Sequence, residues 1–552
     1  MSAGQDQNSA GLNPWPVYHE VMQATNQMTL YALGHLGNQD AAPQEFMQQF
    51  PYGNNPELLN LPSSPMEAML DISEFFDAVG LDIQHGFNLF PSTGFATGQF
   101  QESEHIISSA PSTGRYQSTP ESQELASNEP PPMRNMNPIP DAGTGEASRL
   151  DTMKAILLLA TYSTWQEDSC IVRESLEYPG LLARCLRESG LVNDASHTDE
   201  DLDWAKLAAF CFLNLQTLVF NVPPVILANE IDLWLPVTCD EWMAPSAALW
   251  LEARSKSPAL VRFQEAFVNL VQPRTEECPV PSPFGNFVMI HAILQRLIVA
   301  KQLSLDPASP GYAPEEVAKF ESSLHRWRDQ WCKAPESVLD VRHTKGSLSW
   351  TATSLLGLAH VRLHFASRRP QEVCSGNPKT IAGNAWDARP PERGPQLVYA
   401  LLHAVHALNI PVQLGIDYLA SCQAFFWSLQ HCFCSFEAAV FLSKWLYMLA
   451  ETQDTGELDK CVVNEALASV EAIDGYDLST MEDNTSHSLE TLGHLVIKFF
   501  AKMFERCNSA WPIMRTIGQS LHEYASLLDE YDKSPSHYKK RGIDVSVTTR
   551  SK

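Results

Sequence analysis

From Arg149 to about residue 530 the apolar residues of this chain recur three and four positions apart, with almost no alternating run between tight turns. That period belongs to the 3.6-residue turn of a helix and not to the two-residue repeat of a strand. It restricts the fold to an all-α body, a large helical bundle. The segment LDTMKAILLLATYSTWQ sets the texture. Helical patterns follow over 174–189, 201–221, 259–271, 284–304, 314–333, 348–367, 395–410, 415–451, 487–507 and 509–530. Three stretches interrupt them. Residues 222–258 hold Pro223-Pro224, Pro236 and Pro245, residues 368–394 hold RRPQEVCSGNP and ARPPERGP, and 452–486 is acidic. A proline pair cannot continue a helix, so these stretches are expected to be loops or hinges. No internal repeat at a solenoid period is present.

The chain divides into an arm, a body and a tail. Residues 1–148 are rich in Gln, Asn, Ser, Pro and Gly and read as a mostly disordered acidic arm. Residues 1–133 carry 15 acidic residues and one basic residue, Arg115, which is −14 of the net −27. So acidic a chain is not expected to grip nucleic acid with its whole surface, because phosphate binding needs clustered Lys and Arg. Residues 149–530 form the helical body, and 531–552 a basic tail.

One part of the arm differs. Within 57–90, MEAMLDISEFFDAVGLDI sets Met69, Leu70, Phe75, Phe76, Val79, Leu81 and Ile83 among Asp71, Glu74, Asp77 and Asp82. Acidic residues keep such apolar side chains solvated until a partner's groove buries them as an amphipathic helix. Leu70, Asp71, Glu74, Phe75, Phe76 and Asp77 are therefore the candidate activation and partner-binding residues, with the transcription machinery or a co-activator as partner. The other reading is a short helix that docks on the protein's own body. In the tail, Lys539-Lys540-Arg541 is short enough to be a nuclear import signal, a weak phosphate contact or simply a solvated basic end.

Twelve Cys are scattered without framework spacing, which suits a reducing compartment. The start, MSAGQDQNSAGLNPW, has neither a basic nor an apolar leader region. No run of about 18 apolar residues without a strong polar break is read, so no membrane span is expected.

Walker, dinucleotide-binding, GxSxG and HExxH patterns are missing. The most enzyme-like string is Asp199-Glu200-Asp201-Leu202-Asp203. Its D-E-x-x-D form is similar to the carboxylate set with which all-helical terpene cyclases hold Mg²⁺ and diphosphate, and hard Mg²⁺ does take carboxylate oxygens. The acids also precede the apolar run Leu207-Ala208-Ala209-Phe210, where a helix start favours negative charge. The nearest second set, Glu482, Ser486 and Glu490, lacks the opening Asn or Asp. For metals, His431, Cys432 and Cys434, with His403 and His406, lack a Cys-x₂-Cys partner and lie in apolar helical sequence, so they read as core residues. Neither catalytic residues nor metal ligands nor a cofactor are expected.

Four segments carry a resemblance. AILLLATYSTWQEDSCIVRESLEYPGLLARCLRESGL (155–191) is similar to an opening helix pair, and AAFCFLNLQTLVFNVPPVILANEIDLWLPVTCDEWMAPSAALW (208–250) to a "Y/F-N-x-P-P" element in which a helix stops at a proline pair. HAVHALNIPVQLGIDYLASCQAFFWSLQHCFCSFEAAVFLSKWL (403–446) is similar to a long helical core, and NSAWPIMRTIGQSLHEYASLL (508–528) to a closing helix led by Trp. In this order they resemble the fungal transcription factor regulatory domain, the middle homology region, in the branch found behind two-Cys, two-His zinc fingers. Just before Ala208 the chain departs from the family, reading DEDLDWAKL where basic residues often stand. The resemblance implies a nuclear, pathway-specific regulator, often of a secondary-metabolite gene cluster, that works by activation or dimerisation and has no catalytic residues. No finger, six-Cys cluster or long basic helix is recognised here. Direct DNA binding is therefore open, and pairing with a DNA-binding regulator as a homo- or heterodimer is expected. An adaptor or repressor that pairs with a finger-bearing partner is the alternative within regulation, and a terpene cyclase-like enzyme the alternative outside it.

Overall fold

In the computed structural model of the chain, the described residues are 146–192, 200–272, 278–303, 312–334, 336–337, 347–365, 373, 375–414, 429–452, 456–471, 486–506 and 511–533. The acidic segment 57–90, with Leu70, Asp71, Glu74, Phe75, Phe76 and Asp77, lies outside them, as do Lys539, Lys540 and Arg541.

The described residues are all-α. Helix α1 (Glu146–Thr164) opens the body, followed by α2 (Ser169–Ser175), α3 (Tyr178–Glu188) and α4 (Glu200–Phe220). Next come the short α5 (Cys239–Trp242), α6 (Ala247–Lys256) and α7 (Phe263–Val271). Then follow α8 (Pro283–Gln302), α9 (Pro314–Lys333), α10 (Ser347–His364), α11 (Pro378–Asp387) and α12 (Val398–Leu414). The last four are α13 (Leu429–Thr452), α14 (Glu457–Glu471), α15 (Ser486–Arg506) and α16 (Ile513–Asp532). Among the described residues there is no sheet, only isolated bridges between Val192 and Asp232 and between Trp234 and Arg262.

Local chemistry accounts for where several of these helices start and stop. Ser282 caps α8 by accepting from the Gly285 amide, with Pro283 in the first turn where a missing N–H costs nothing. Pro314, Glu315 and Glu316 open α9, and Lys333 closes it, each charge complementing the helix dipole. After α4 the backbone turns left-handed at Asn221, φ 48°, and the proline pair beyond it forbids another turn.

Helices α4, α8, α10 and α13 are apolar on nearly every face and buried on nearly every face, which makes them the centre of the bundle. Around them α8 packs on α4, α9 and α10, while α10 packs on α12 and α13. On the far side α13 lies along α15, α15 on α16, and α16 on α11. Trp165, Trp327, Trp331, Trp350 and Trp445 are fully buried. The α15–α16 crossing is tight at Gly518, where a Cβ would come within 2.9 Å of the Phe504 Cβ. The last described residue is Lys533, directly after α16.

Two expectations need correction. Each stretch read as a loop contains a helix: α5 and α6 in 222–258, α11 in 368–394 and α14 in 452–486. Prolines there start helices or flank them. Pro378 stands at the first position of α11 behind an Asn377 cap, and α14 buries Val462, Val463, Ala466 and Val470 from inside an acidic stretch. The single pattern 174–189 is two helices, broken at Leu176. Of 415–451, the described helix starts at Leu429, and 415–428 lies outside the described residues. Helices α8 and α13 are long and apolar enough to cross a membrane by length and composition, although Arg296 interrupts α8 and Glu437 and Lys444 interrupt α13. Their apolar windows are 83% and 72% buried inside the bundle, as core helices are.

Candidate functional site in the helical body

A polar seam runs through the packed helices α9, α10, α12 and α13. At its deep end Arg362 of α10 makes a two-pronged pair with Glu437 of α13, its Nε donating to Oε2 at 2.9 Å, and also donates to the Leu218 carbonyl of α4 at 2.9 Å. Burial opposes the Arg362 charge, but the Glu437 carboxylate outweighs it and holds the guanidinium above its usual range. The nearby Lys301 ammonium falls to about 8 through burial and the Arg362 charge. Two residues on, His364 meets Glu321 of α9 at 3.1 Å.

Beyond that pair the seam is imidazole. His360 of α10 stacks on His403 of α12 with ring centres 5.1 Å apart, and His325 of α9 sits 6.2 Å from His360. Tyr399 meets His325 edge-on at 4.6 Å. Burial, then the Arg328 charge, then His325, hold His403 down at about 3, and burial with His403 does the same to His406. His360 is lowered well below its ordinary value by burial and by His403, His325, His364 and Arg328. The lowered values leave His360, His403 and His406 uncharged at neutral pH, and His360 and His403 are packed ring on ring. They fit a rigid polar layer that fixes helix register, not a proton relay.

The residues singled out from the sequence are dispersed through this body. Asp199 lies outside the described residues. Asp203 is buried and paired 3.1 Å from Lys206 one turn on, so this carboxylate is already committed within its own helix. Of the second acidic set, Glu490 is buried and Glu482 lies outside the described residues. His431 stacks under Trp350 at 4.2 Å, and Cys432 and Cys434 are buried beside it in α13. His403 and His406 belong to the imidazole layer. Among the described residues no three His, Cys, Asp or Glu side chains converge as a metal site would.

One feature escaped the sequence reading altogether. Residues 236–260 leave the bundle as a lobe, closed at its neck where Leu235 N–H donates to Val261 at 2.9 Å and Phe263 N–H to Leu233 at 2.8 Å. The lobe is firmly built. Buried Glu241 receives Arg254 at 3.3 Å, Thr238 meets Ser257 at 3.0 Å, and Glu336 accepts from the Cys239 and Asp240 amides at the start of α5. Yet α6 buries none of its residues, and Leu249, Trp250 and Leu251 stand at its surface with Met243 and Leu260. A slot of about 70 Å³ between Trp234, Pro236, Trp242 and Leu260 lies at the lobe's base.

Residues 365–523 match the family model of the fungal transcription factor C-terminal domain. That match supports a fungal transcription factor regulatory domain in this part of the chain. Comparison with curated proteins and with solved structures finds no match. The matched stretch is under a third of the 552 residues, and it takes in α11 to α15 and the first half of α16. Within it stand His403 and Glu437, whose partners His360 and Arg362 lie just before it on α10. The polar seam thus ties the matched part of the regulatory domain to the helices in front of it.

Proposed function

We propose that this transcription regulator is a nuclear protein that activates a specific set of genes. Its acidic segment 57–90 would contact the transcription machinery or a co-activator, while its helical body pairs with a second chain. What carries this reading is the coincidence of two features. One is the family match over 365–523. The other is the acidic-aromatic segment ahead of the body, in which Phe75 and Phe76 lie among Asp71, Glu74 and Asp77. An amphipathic helix of that composition suits a hydrophobic groove on a partner. The body itself is a poor DNA-binding surface, because acidic side chains outnumber basic ones across the chain and phosphate contact needs the reverse. Promoter contact is accordingly assigned to a paired, DNA-bound regulator, and nuclear entry to Lys539-Lys540-Arg541. Control of a secondary-metabolite gene cluster is the corresponding pathway reading.

The test is a reporter assay in which residues 57–90 are fused to a foreign DNA-binding domain. Activation is expected, and it should fall at least about tenfold in Phe75→Ala/Phe76→Ala, which removes two aromatic anchors. A fusion that fails to activate, together with a full chain that stays outside the nucleus, overturns the proposal.

A further inference from the structure

We propose that the slot at the base of the lobe binds a methylated ammonium ion, seated among the indole rings of Trp204, Trp234 and Trp242 and beside the Asp203 carboxylate. This goes beyond activation and pairing and needs neither.

The first argument is assembly. Three of the chain's 13 tryptophans meet here from three segments. Trp204 comes from the opening turns of α4, Trp234 from the stretch that leads into the lobe, and Trp242 from α5. Leu235, Pro236, Val237 and Leu260 complete the apolar wall. The surroundings hold these groups still. Trp204 stacks within 23° of parallel on Trp242 at 5.9 Å and packs on Phe284 at 4.9 Å. The Pro236 carbonyl accepts from the Ser282 hydroxyl at 2.7 Å. Rings already fixed lose little freedom when a ligand arrives.

The second argument is size. The slot holds about 70 Å³, roughly the share of two waters in the liquid. A drug-sized ligand needs about 300 Å³ or more. What fits is a compact headgroup or the end of one side chain.

The third argument is charge. Among the described residues Asp203 is the one charged group on the wall, and it is 5% exposed. Lys206 holds its Oδ1 at 3.1 Å but is not part of the wall. That pair competes with a hard metal ion for the carboxylate oxygen. It still leaves a negative group as the wall's own charge. Indole faces are the negative side of a quadrupole and attract cations more strongly than other rings. The chain already uses one in this way: Arg262, held by Asp232 at 2.8 Å, lies over Trp234 at 5.8 Å from outside the wall. The wider field has the same sign. Residues 200–206 and 232–262 with Glu336 hold eight acidic side chains against four basic ones. An anion would meet a carboxylate and π faces. A bare ammonium is strongly hydrated and would lose its water to an apolar wall. Methyl groups on the nitrogen remove that conflict, because Leu235, Val237 and Leu260 can bury them.

Calorimetric titration of the full chain tests this, with tetramethylammonium chloride replacing sodium chloride at fixed ionic strength. Saturable binding in about the millimolar range is expected. Choline should bind at least about tenfold more tightly than dimethylbutanol, its uncharged carbon isostere. Trp234→Leu should weaken choline binding about tenfold, and Trp234→Phe should restore part of it. Val237→Phe should abolish binding by filling the slot, with every ring and charge of the wall still present. Thermal melts control for folding in each variant. A chain that does not distinguish tetramethylammonium from sodium overturns the proposal. So does an isostere that binds as well as choline, or a folded Val237→Phe chain that binds choline like the wild type. A peptide carrying trimethyl-lysine separates the sources. Binding at least about tenfold tighter than choline supports a side chain of a protein partner, and binding no tighter supports a free headgroup; the pocket stands in both.

Discussion

Acid should loosen the helical body well above the pH at which carboxylates titrate. His291 and His403 are buried and His406 is half-buried, and all three are held at about 3, against 6.5 for the free side chain. Burial is the largest cause in all three, joined at His403 by the Arg328 charge and His325. Because these folded-state values are depressed, the unfolded chain binds protons that the folded one refuses. Stability is therefore complete above the unfolded value of 6.5 and is lost as pH falls from there toward 3. Between about pH 7.5 and 5.5 each imidazole shifts the balance by about 1.4 kcal/mol toward unfolding. The three together give about 4 kcal/mol, and His360, lowered in the same direction, adds to it. That is a large part of the roughly 5–15 kcal/mol that holds a typical domain folded. Urea unfolding followed by far-ultraviolet circular dichroism at both pH values reads the effect as a fall in midpoint at constant slope. His403→Gln should flatten the pH dependence by about one proton, even where it lowers stability at neutral pH. A midpoint that does not change over that window refutes the reasoning, and so does a His403→Gln chain as pH-sensitive as the wild type.

Three further outcomes follow from packing. Glu437→Ala leaves the half-buried Arg362 without its carboxylate and should lower stability by about 1–3 kcal/mol in thermal melts. The double change Arg362→Met/Glu437→Leu should cost much less, because no charge is stranded. Gly518→Ala places a methyl group within 2.9 Å of Phe504 at the α15–α16 crossing. It should destabilise by about 1–3 kcal/mol in the same melts, although Ala is the better helix former. Cys170 and Cys332 are exposed, whereas Cys432 and Cys434 are buried and burial pushes the Cys434 thiol up. Native-state alkylation read by mass spectrometry should therefore label the first two at once and the second two only on unfolding.

Where helices are long and face the core, the sequence was an accurate guide. The pattern 314–333 is α9 to the residue, and 284–304 differs from α8 by one or two positions at each end. Those segments satisfy three signals together, a proline or serine start, a helical apolar period and a length of five turns. The missed helices each lack one of them. Helix α6 has no buried face, so no apolar stripe distinguishes it from loop. Helix α11 follows a proline-containing run whose composition points to a loop, yet Pro378 stands at its first turn, where proline favours the helix. Helix α14 draws its burial from four small aliphatic residues that the surrounding acids outnumbered in a composition reading. Proline and charge are informative about structure only once their position within a helix is known.

The candidate sites were harder to read because their partners lie far apart in the chain. Arg362 and Glu437 are 75 positions apart, and His360 and His403 are joined only by the packing of α10 on α12. No spacing rule connects such pairs, since the rule for helix neighbours reaches only three or four residues. The sequence did contain a signal for the lobe. In LPVTCDEWMAPSAALWLEARSK, prolines close off a stretch that still holds Trp242, Leu249, Trp250 and Leu251. Large apolar residues in a stretch with no core-facing period have two physical outcomes, burial in an irregular segment or display at a surface. The two tryptophans divide between them: Trp242 stacks on Trp204 at 5.9 Å, while Trp250 stands with Leu249 and Leu251 on a helix that the core never covers. The difference is one of partners and not of residue type: Trp242 finds an aromatic ring beside it, whereas Leu249 and Leu251 are carried on a helix whose every residue is left at least partly exposed.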